Sequence, residues 1–265
     1  MVEPSVHQID YPSQLKANKL SERIQKFLAN QGIASRREIE RWIKAGEVLV
    51  DGELCNLGQA ITGGEKIEIR GEVINLKANV HSRVIMYHKP CGEIVSRSDP
   101  DNRPTVFHSL PNLKTGRWVS VGRLDINTSG LLLLTTDGKL ANDLMHPSNR
   151  VEREYQVRVQ GKITNGIMSN IQNGVQLEDG LAKLKILEVK EGEGANTWCK
   201  VVLQEGRNRE VRRIWESQDL RVSRLIRIRY GSIELPSDMR LGKYLDLTPN
   251  QFQNLQKLVT TPNSK

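Results

Sequence analysis

Residues 121–135 read VGRLDINTSGLLLLT, and the fold turns on them. Gly122 and Gly130 bound a polar loop that holds one acid, Asp125, and four leucines, Leu131 to Leu134, follow directly. Such a short apolar run between turn residues predicts a buried strand. A carboxylate on a loop anchored to a rigid strand is well placed for catalysis. The residue types alone also allow Asp125 to be a turn-former bonding its own backbone. Upstream, residues 83–88 predict a strand that ends at Lys89-Pro90-Cys91-Gly92, and Asp99-Pro-Asp-Asn-Arg-Pro104 predicts a loop. Downstream, Asp137 can cap a helix that runs to about Met145 and must stop before Pro147. Residues 152–160 alternate, with Tyr155, Val157 and Val159 on one face of a strand. Short strands punctuated by Gly, Pro and Asn predict an α+β domain.

The sequence has a different texture before residue 79. Ile24, Phe27 and Leu28 recur at helical spacing in 21–30, and Gly32 suits the helix end. Ser35-Arg36-Arg37-Glu38 has the pattern of a capping box opening a second helix, which Gly46 would close. On that helix Arg37, Arg41 and Lys44 fall on one stripe, broadly opposite Ile39, Trp42 and Ile43. One face is predicted to be core and the other basic, although a charged stripe can also be simply a solvated face. Short strands at 48–50 and 66–69, with an Asp51-Gly52 turn, would complete a compact unit. The expected layout is a disordered tail at 1–19, a small domain at 20–78, a larger one at 79–259 and a short tail at 260–265.

The chain of 265 residues has a net charge of +8, which points to a polyanionic partner. No apolar run approaches membrane-spanning length, and the polar start with Pro4 and Pro12 lacks the features of a secretory signal. Cys55, Cys91 and Cys199 are too widely separated for a disulfide framework or a metal knuckle, and the five histidines show no paired ligand spacing. A cytoplasmic protein without membrane or metal is expected. Between residues 207 and 229 eight arginines stand against Glu210, Glu216 and Asp219, a local net charge of +5. Arg227 and Arg229 alternate there with Ile226 and Ile228, as on a strand with a wet face and a buried face, and most of these arginines are expected to touch phosphates.

Gly122-Arg-Leu-Asp125 followed by Asn127-Thr-Ser-Gly-Leu-Leu-Leu-Leu-Thr135 resembles the catalytic motif of the RNA pseudouridine synthases. The likeness extends to Lys89-Pro90, Arg153-Glu154-Tyr155 and Glu205-Gly-Arg-Asn-Arg-Glu-Val-Arg-Arg213, and so spans nearly the whole chain. Residues 20–75 are similar to the S4 RNA-binding domain, as found in the branch of the family that modifies ribosomal RNA. The strings 99–100, 103–107 and 222–231 are most similar to the enzymes of the large ribosomal subunit. This resemblance implies a catalytic domain on a mixed, mostly antiparallel sheet, and a cofactor-free isomerisation of a uridine in 23S rRNA by a monomer.

It also implies residue roles. Asp125 would initiate loss of the glycosidic bond; attack on the sugar, attack on the base and removal of a sugar proton all stay open. Tyr155 would stack on the uracil and Arg207 would pair with Asp125. Arg123 would fill the gap left by a flipped uridine, and Val211 would close over the base. RNA contacts are expected from Lys26, Ser35, Arg36, Arg37, Arg41 and Lys44 in the small domain, and from Arg103, Arg209, Arg212, Arg213, Arg227 and Arg229 in the large one. Two competing readings are an RNA-binding assembly factor without activity and a glycosidase. The first leaves Asp125, Tyr155 and Arg207 unexplained, and the second normally needs a second flanking carboxylate.

Overall fold

The computed structural model describes residues 21–75, 82–191 and 196–260. The expected tail at 1–19, the expected tail at 260–265 apart from Thr260, which ends the last helix, and the junction near 78 lie outside these residues. The chain divides into two compact units, one comprising Met1–Arg83, Pro111–Val119 and Thr136–Gly138, the other comprising the remainder.

In the first unit helix α1 spans Ile24–Asn30 and α2 spans Arg36–Lys44. The Ser35 hydroxyl accepts the Glu38 amide at 3.1 Å, which satisfies one of the free N–H groups at the start of α2. The Glu38 carboxylate is engaged with Arg41. Ile39 and Ile43 are buried and join Ile24, Leu28, Val48 and Ile67 in one core, whereas Arg37, Arg41 and Lys44 are exposed. The amphipathic reading of α2 therefore holds. Beyond it an antiparallel sheet runs in the order Glu53–Leu54, Val48–Val50, Ile67–Ile69, Glu72–Val73. Gly32, at φ +84°, ends α1 and sits so close to Gly116 that a Cβ would lie 2.5 Å from its carbonyl oxygen. Only glycine meets both demands.

In the second unit, among the described residues, a nine-stranded sheet has the main order Lys185–Glu191, Asn196–Leu203, Arg153–Gln160, Arg221–Tyr230, Ser129–Thr135, Val84–Lys89, Tyr244–Asp246. Neighbours along this order pair antiparallel, except that strand 221–230 meets strand 129–135 in parallel. The expected α+β class and mixed, mostly antiparallel sheet are observed. Leu131 to Leu134 are fully buried, because this strand is central and covered on both faces. Helix α3 covers Gly138–Met145, α4 Asn165–Asn173, α5 Glu210–Glu216 and α6 Pro249–Thr260. The core joins Val157, Val159, Val201 and Leu225 of the sheet to Ile214 and Trp215 of α5.

The sequence-based faces of strand 221–230 are wrong. Arg227 is 2% exposed while Ile226 and Ile228 are half-buried. The register with strand 153–160 shifts between Glu154 and Tyr155 and again between Arg158 and Val159. Between the two shifts the alternation is intact, and Arg227 shares its face with Leu225, which packs in the core with Val157, so the buried face is the one that carries the arginine.

Candidate active site

The loop that carries Asp125 is held by its own backbone carbonyls. Thr128 N donates to Asp125 O at 3.0 Å, which closes a turn, and Gly92 N donates to Ile126 O at 2.8 Å. Lys89 ends strand 84–89 with its side chain wholly buried, and its Nζ donates to Asp125 O at 3.2 Å, Thr128 O at 3.0 Å and Pro90 O at 2.9 Å. From α5 the Arg212 guanidinium donates Nη2 to Asn127 O and Nη1 to Val222 O, each at 2.9 Å. Every carbonyl from residue 125 to residue 128 thus has a donor, and two of those donors are buried cations. Burial pushes the pKa of Lys89 down and likewise that of Arg212, and the charge of Asp125 opposes the fall in both. Two cations thus support a loop that bears one anion, in surroundings where such charges act strongly.

Asp125 itself is half-buried and lines a cleft of about 1370 Å³. Arg123, Tyr155, Arg207, Arg209 and Val211 line the same cleft. Five of the residues singled out from three separate stretches of sequence, Arg123, Asp125, Tyr155, Arg207 and Val211, therefore share one surface. Tyr155 is half-buried on strand 153–160, with Val201 and Arg227 as its cross-strand partners. Val211 is buried in the first turn of α5, and Arg123 is exposed.

Three expectations need correction. The anticipated Arg207–Asp125 ion pair is absent: Arg207 bonds Glu205 through Nε at 2.6 Å and the Leu181 carbonyl at 2.8 Å, and lies 3.5 Å from Asp179. Burial works against its charged form, but Glu205 foremost, with Glu210 and Asp179, raises its pKa on balance. Carboxylates nearer than Asp125 have taken its charge. Secondly, Arg212 and Arg227 are not surface phosphate ligands, since both are buried and bonded to backbone carbonyls. Thirdly, two more arginines of the tract are already paired. Arg213 grips Asp179 at 2.8 and 3.0 Å, and Arg229 holds Glu154 at 2.9 Å and Glu152 at 3.0 Å. Much of the +5 charge is thus internal scaffolding.

The remaining candidates lie at the surface or close to it. Arg209 is exposed with Glu216 at 3.6 Å, and Arg103 is exposed and bound to Asp99. In the first unit Arg36 and Arg37 are exposed, Ser35 is the α2 cap, and Lys26 is paired with Glu22.

Sequence reasoning gave no role to Lys89, Arg153 or Glu210. A lysine closing an apolar strand was the available signal for the first. Arg153 bonds the Val151 and Gln204 carbonyls and the Tyr230 hydroxyl. Glu210, whose pKa is raised by burial, accepts the Arg207 amide at 3.0 Å. Among the described residues no group of three or more His, Cys, Asp or Glu is disposed to hold a metal ion.

Comparison with known proteins agrees with this geometry. Residues 83–217 match the family described as RNA pseudouridylate synthase, and residues 22–67 match the S4 domain. A ribosomal large subunit pseudouridine synthase B of Escherichia coli is 52% identical over 247 residues, covering 92% of this chain and 85% of its own. The protein of the same description from Haemophilus influenzae is 53% identical over 245 residues, covering 91% and 69% respectively. A crystal structure described as a pseudouridylate synthase superposes with a TM-score of 0.62 at 25% identity, covering 89% of this chain and all of that one.

Proposed function

Because the chain belongs to the RNA pseudouridylate synthase family and carries an S4 domain, we propose that it converts a uridine of large-subunit ribosomal RNA to pseudouridine, with Asp125 as the essential carboxylate. The observation that carries this reading is the convergence of Arg123, Asp125, Tyr155 and Val211 on one cleft. In the reaction the bond from N1 to C1′ breaks, the base turns, and C5 bonds to C1′. C5 gives up a proton and N1 regains one, so the isomerisation balances without oxidant, reductant or co-reactant. Asp125 handles the reactive sugar or base. Its loop, held at four carbonyls, keeps the carboxylate in place without reorganisation.

A uridine within folded RNA must leave its stack to reach this cleft. Arg123, exposed beside Asp125, fills the gap it leaves; Tyr155 stacks on the extruded ring and Val211 closes the apolar side. Arg207 adds positive charge to the wall of the cleft. The exposed stripe Arg37, Arg41 and Lys44, together with Arg36 and Lys26, grips phosphates from the first unit, and Arg103 and Arg209 do so from the second. The protein acts as a monomer in the cytoplasm, with a small RNA-binding domain at 20–78 and a catalytic domain at 79–259.

The test is Asp125→Asn, which keeps shape and removes charge. Tritium release from 23S rRNA transcripts labelled at C5 should vanish, while the melting temperature and RNA affinity stay at wild-type values. Near-normal turnover would refute the assignment of Asp125.

A further inference from the structure

Arg227 lines the cleft with fewer partners than its burial calls for. It is 2% exposed. Among the described residues its guanidinium has one hydrogen-bond acceptor, the Leu131 carbonyl, 2.7 Å from Nε. The Tyr230 ring lies 5.1 Å from its central carbon. Nη2 is shut off from solvent and bonded to nothing. A buried donor without an acceptor is costly, and more so on a charged group, so folded proteins keep few of them. Arg212 and Arg213 each leave Nε unpaired as well. Their terminal nitrogens are all bonded, however, and neither residue lines the cleft.

The location of this unused donor is informative. Arg227 is the cross-strand partner of Tyr155, so the two side chains leave the sheet side by side on one face. Through Leu131 it is also tied to the strand that follows the Asp125 loop. The guanidinium charge is already spread over the Tyr230 face and the Leu131 carbonyl. What is missing is a neutral acceptor for the terminal nitrogens, at the wall of the cleft and next to an aromatic ring. A pyrimidine carbonyl meets that description better than a backbone phosphate, which is bulky, charged and tied to the chain on both sides.

We propose that Arg227 recognises the base by donating a terminal N–H of its guanidinium to a carbonyl oxygen of the extruded uracil. This rests on the pseudouridine synthase reading and deepens it. If the carbonyl is O4, the contact also rejects cytosine, which presents an amino group there and would leave two donors facing each other.

The experiment is a double-mutant cycle between protein and RNA. Transcripts of 23S rRNA are made with uridine, 2-thiouridine or 4-thiouridine throughout, sulfur being a poor acceptor. Single-turnover conversion is followed by chromatography of the digested nucleosides for wild type and Arg227→Met, and any effect of thiation on RNA folding is common to both proteins. One thiation should slow the wild type about tenfold or more. Arg227→Met should be slowed similarly on unmodified RNA and no further on the thiated transcript. The salt dependence of RNA binding should stay at its wild-type slope.

Equal slowing of both proteins by thiation would show that Arg227 acts only through the structure, and would overturn the proposal. So would a wild type indifferent to both thiations. A salt slope reduced by about one in the variant would assign the contact to a phosphate instead. Should Arg227→Met fail to fold, Arg227→Lys retains a cation for Leu131 but no second arm, and should be equally insensitive to thiation. A wild type that forms no pseudouridine in unmodified RNA would defeat the functional reading and this proposal together; normal conversion of unmodified RNA with an additive cycle defeats this proposal alone.

Discussion

Gly130 sits where strands 129–135 and 221–230 meet in parallel, and replacing it with alanine tests whether that junction holds the active-site loop. Its φ is +109°, a conformation that costs an L-residue at least about 1–2 kcal/mol. An added Cβ would lie 2.2 Å from the Arg227 carbonyl oxygen and 2.5 Å from its nitrogen. Ordinary contact begins near 3.4 Å, so the strands would have to part by roughly 1 Å in a core with no room to give. That movement breaks the pairing of Ser129 with Ile226 and of Gly130 with Arg227, at about 1 kcal/mol for each hydrogen bond. It also strains the charge-assisted bond from Arg227 to Leu131, worth about 1.5–3 kcal/mol. The expected loss is on the order of 4 to 8 kcal/mol, comparable to the whole stability of many domains. Urea unfolding followed by tryptophan fluorescence, read through Trp198 and Trp215, should show a midpoint lowered by more than about 1 M, or no folded baseline at all. Any residual folded protein should be slow in single turnover, because the Asp125 loop leads directly into the displaced strand. A loss below about 1 kcal/mol with normal turnover would refute the claim that this crossing positions the loop.

Arg37→Gln combined with Lys44→Gln should weaken 23S rRNA binding and reduce its salt slope by about two, if each contacts one phosphate; unchanged binding would make the stripe a solvated helix face. Glu65 is held down at about 2, since hydrogen bonds from Thr62 and Gly63 outweigh the raising effect of burial. Its folded pKa lies below the ordinary 4.5, so its stabilisation is complete above about 4.5 and is lost as pH falls towards 2. Glu65→Gln should therefore lower the stability of the first unit at pH 7 and flatten its acid dependence in that window, as read by thermal melts. Burial pushes the Cys199 thiol up to about 12 and raises that of Cys55, while Cys91 is exposed. A thiol reagent at pH 8 should label one cysteine rapidly and two more only after unfolding; a second rapid thiol would show that the core opens.

Local patterns carried much of this protein. The four leucines after Gly130, the Ser35 cap and the Ile39 and Ile43 face of α2 each report on neighbours within one turn or one strand, and each forms where the pattern put it. The stretch from Gly122 to Thr135 pointed to Asp125 through its resemblance to the synthase motif, since the residue types alone fit a turn-former as well. Charge could not be read in the same way. A guanidinium in a sequence looks identical whether it meets water, a phosphate, a carboxylate or a carbonyl, and only the sheet order brought Asp179 to Arg213, Glu152 and Glu154 to Arg229, and Asn127 to Arg212. The packing of Leu225 against Val157 then put the face that carries Arg227 inward, beside Tyr155. Periodicity determined which segments are strands and helices. The tertiary structure decided which of the arginines are free to meet RNA, since a buried charge settles on whichever acceptors the fold brings within reach.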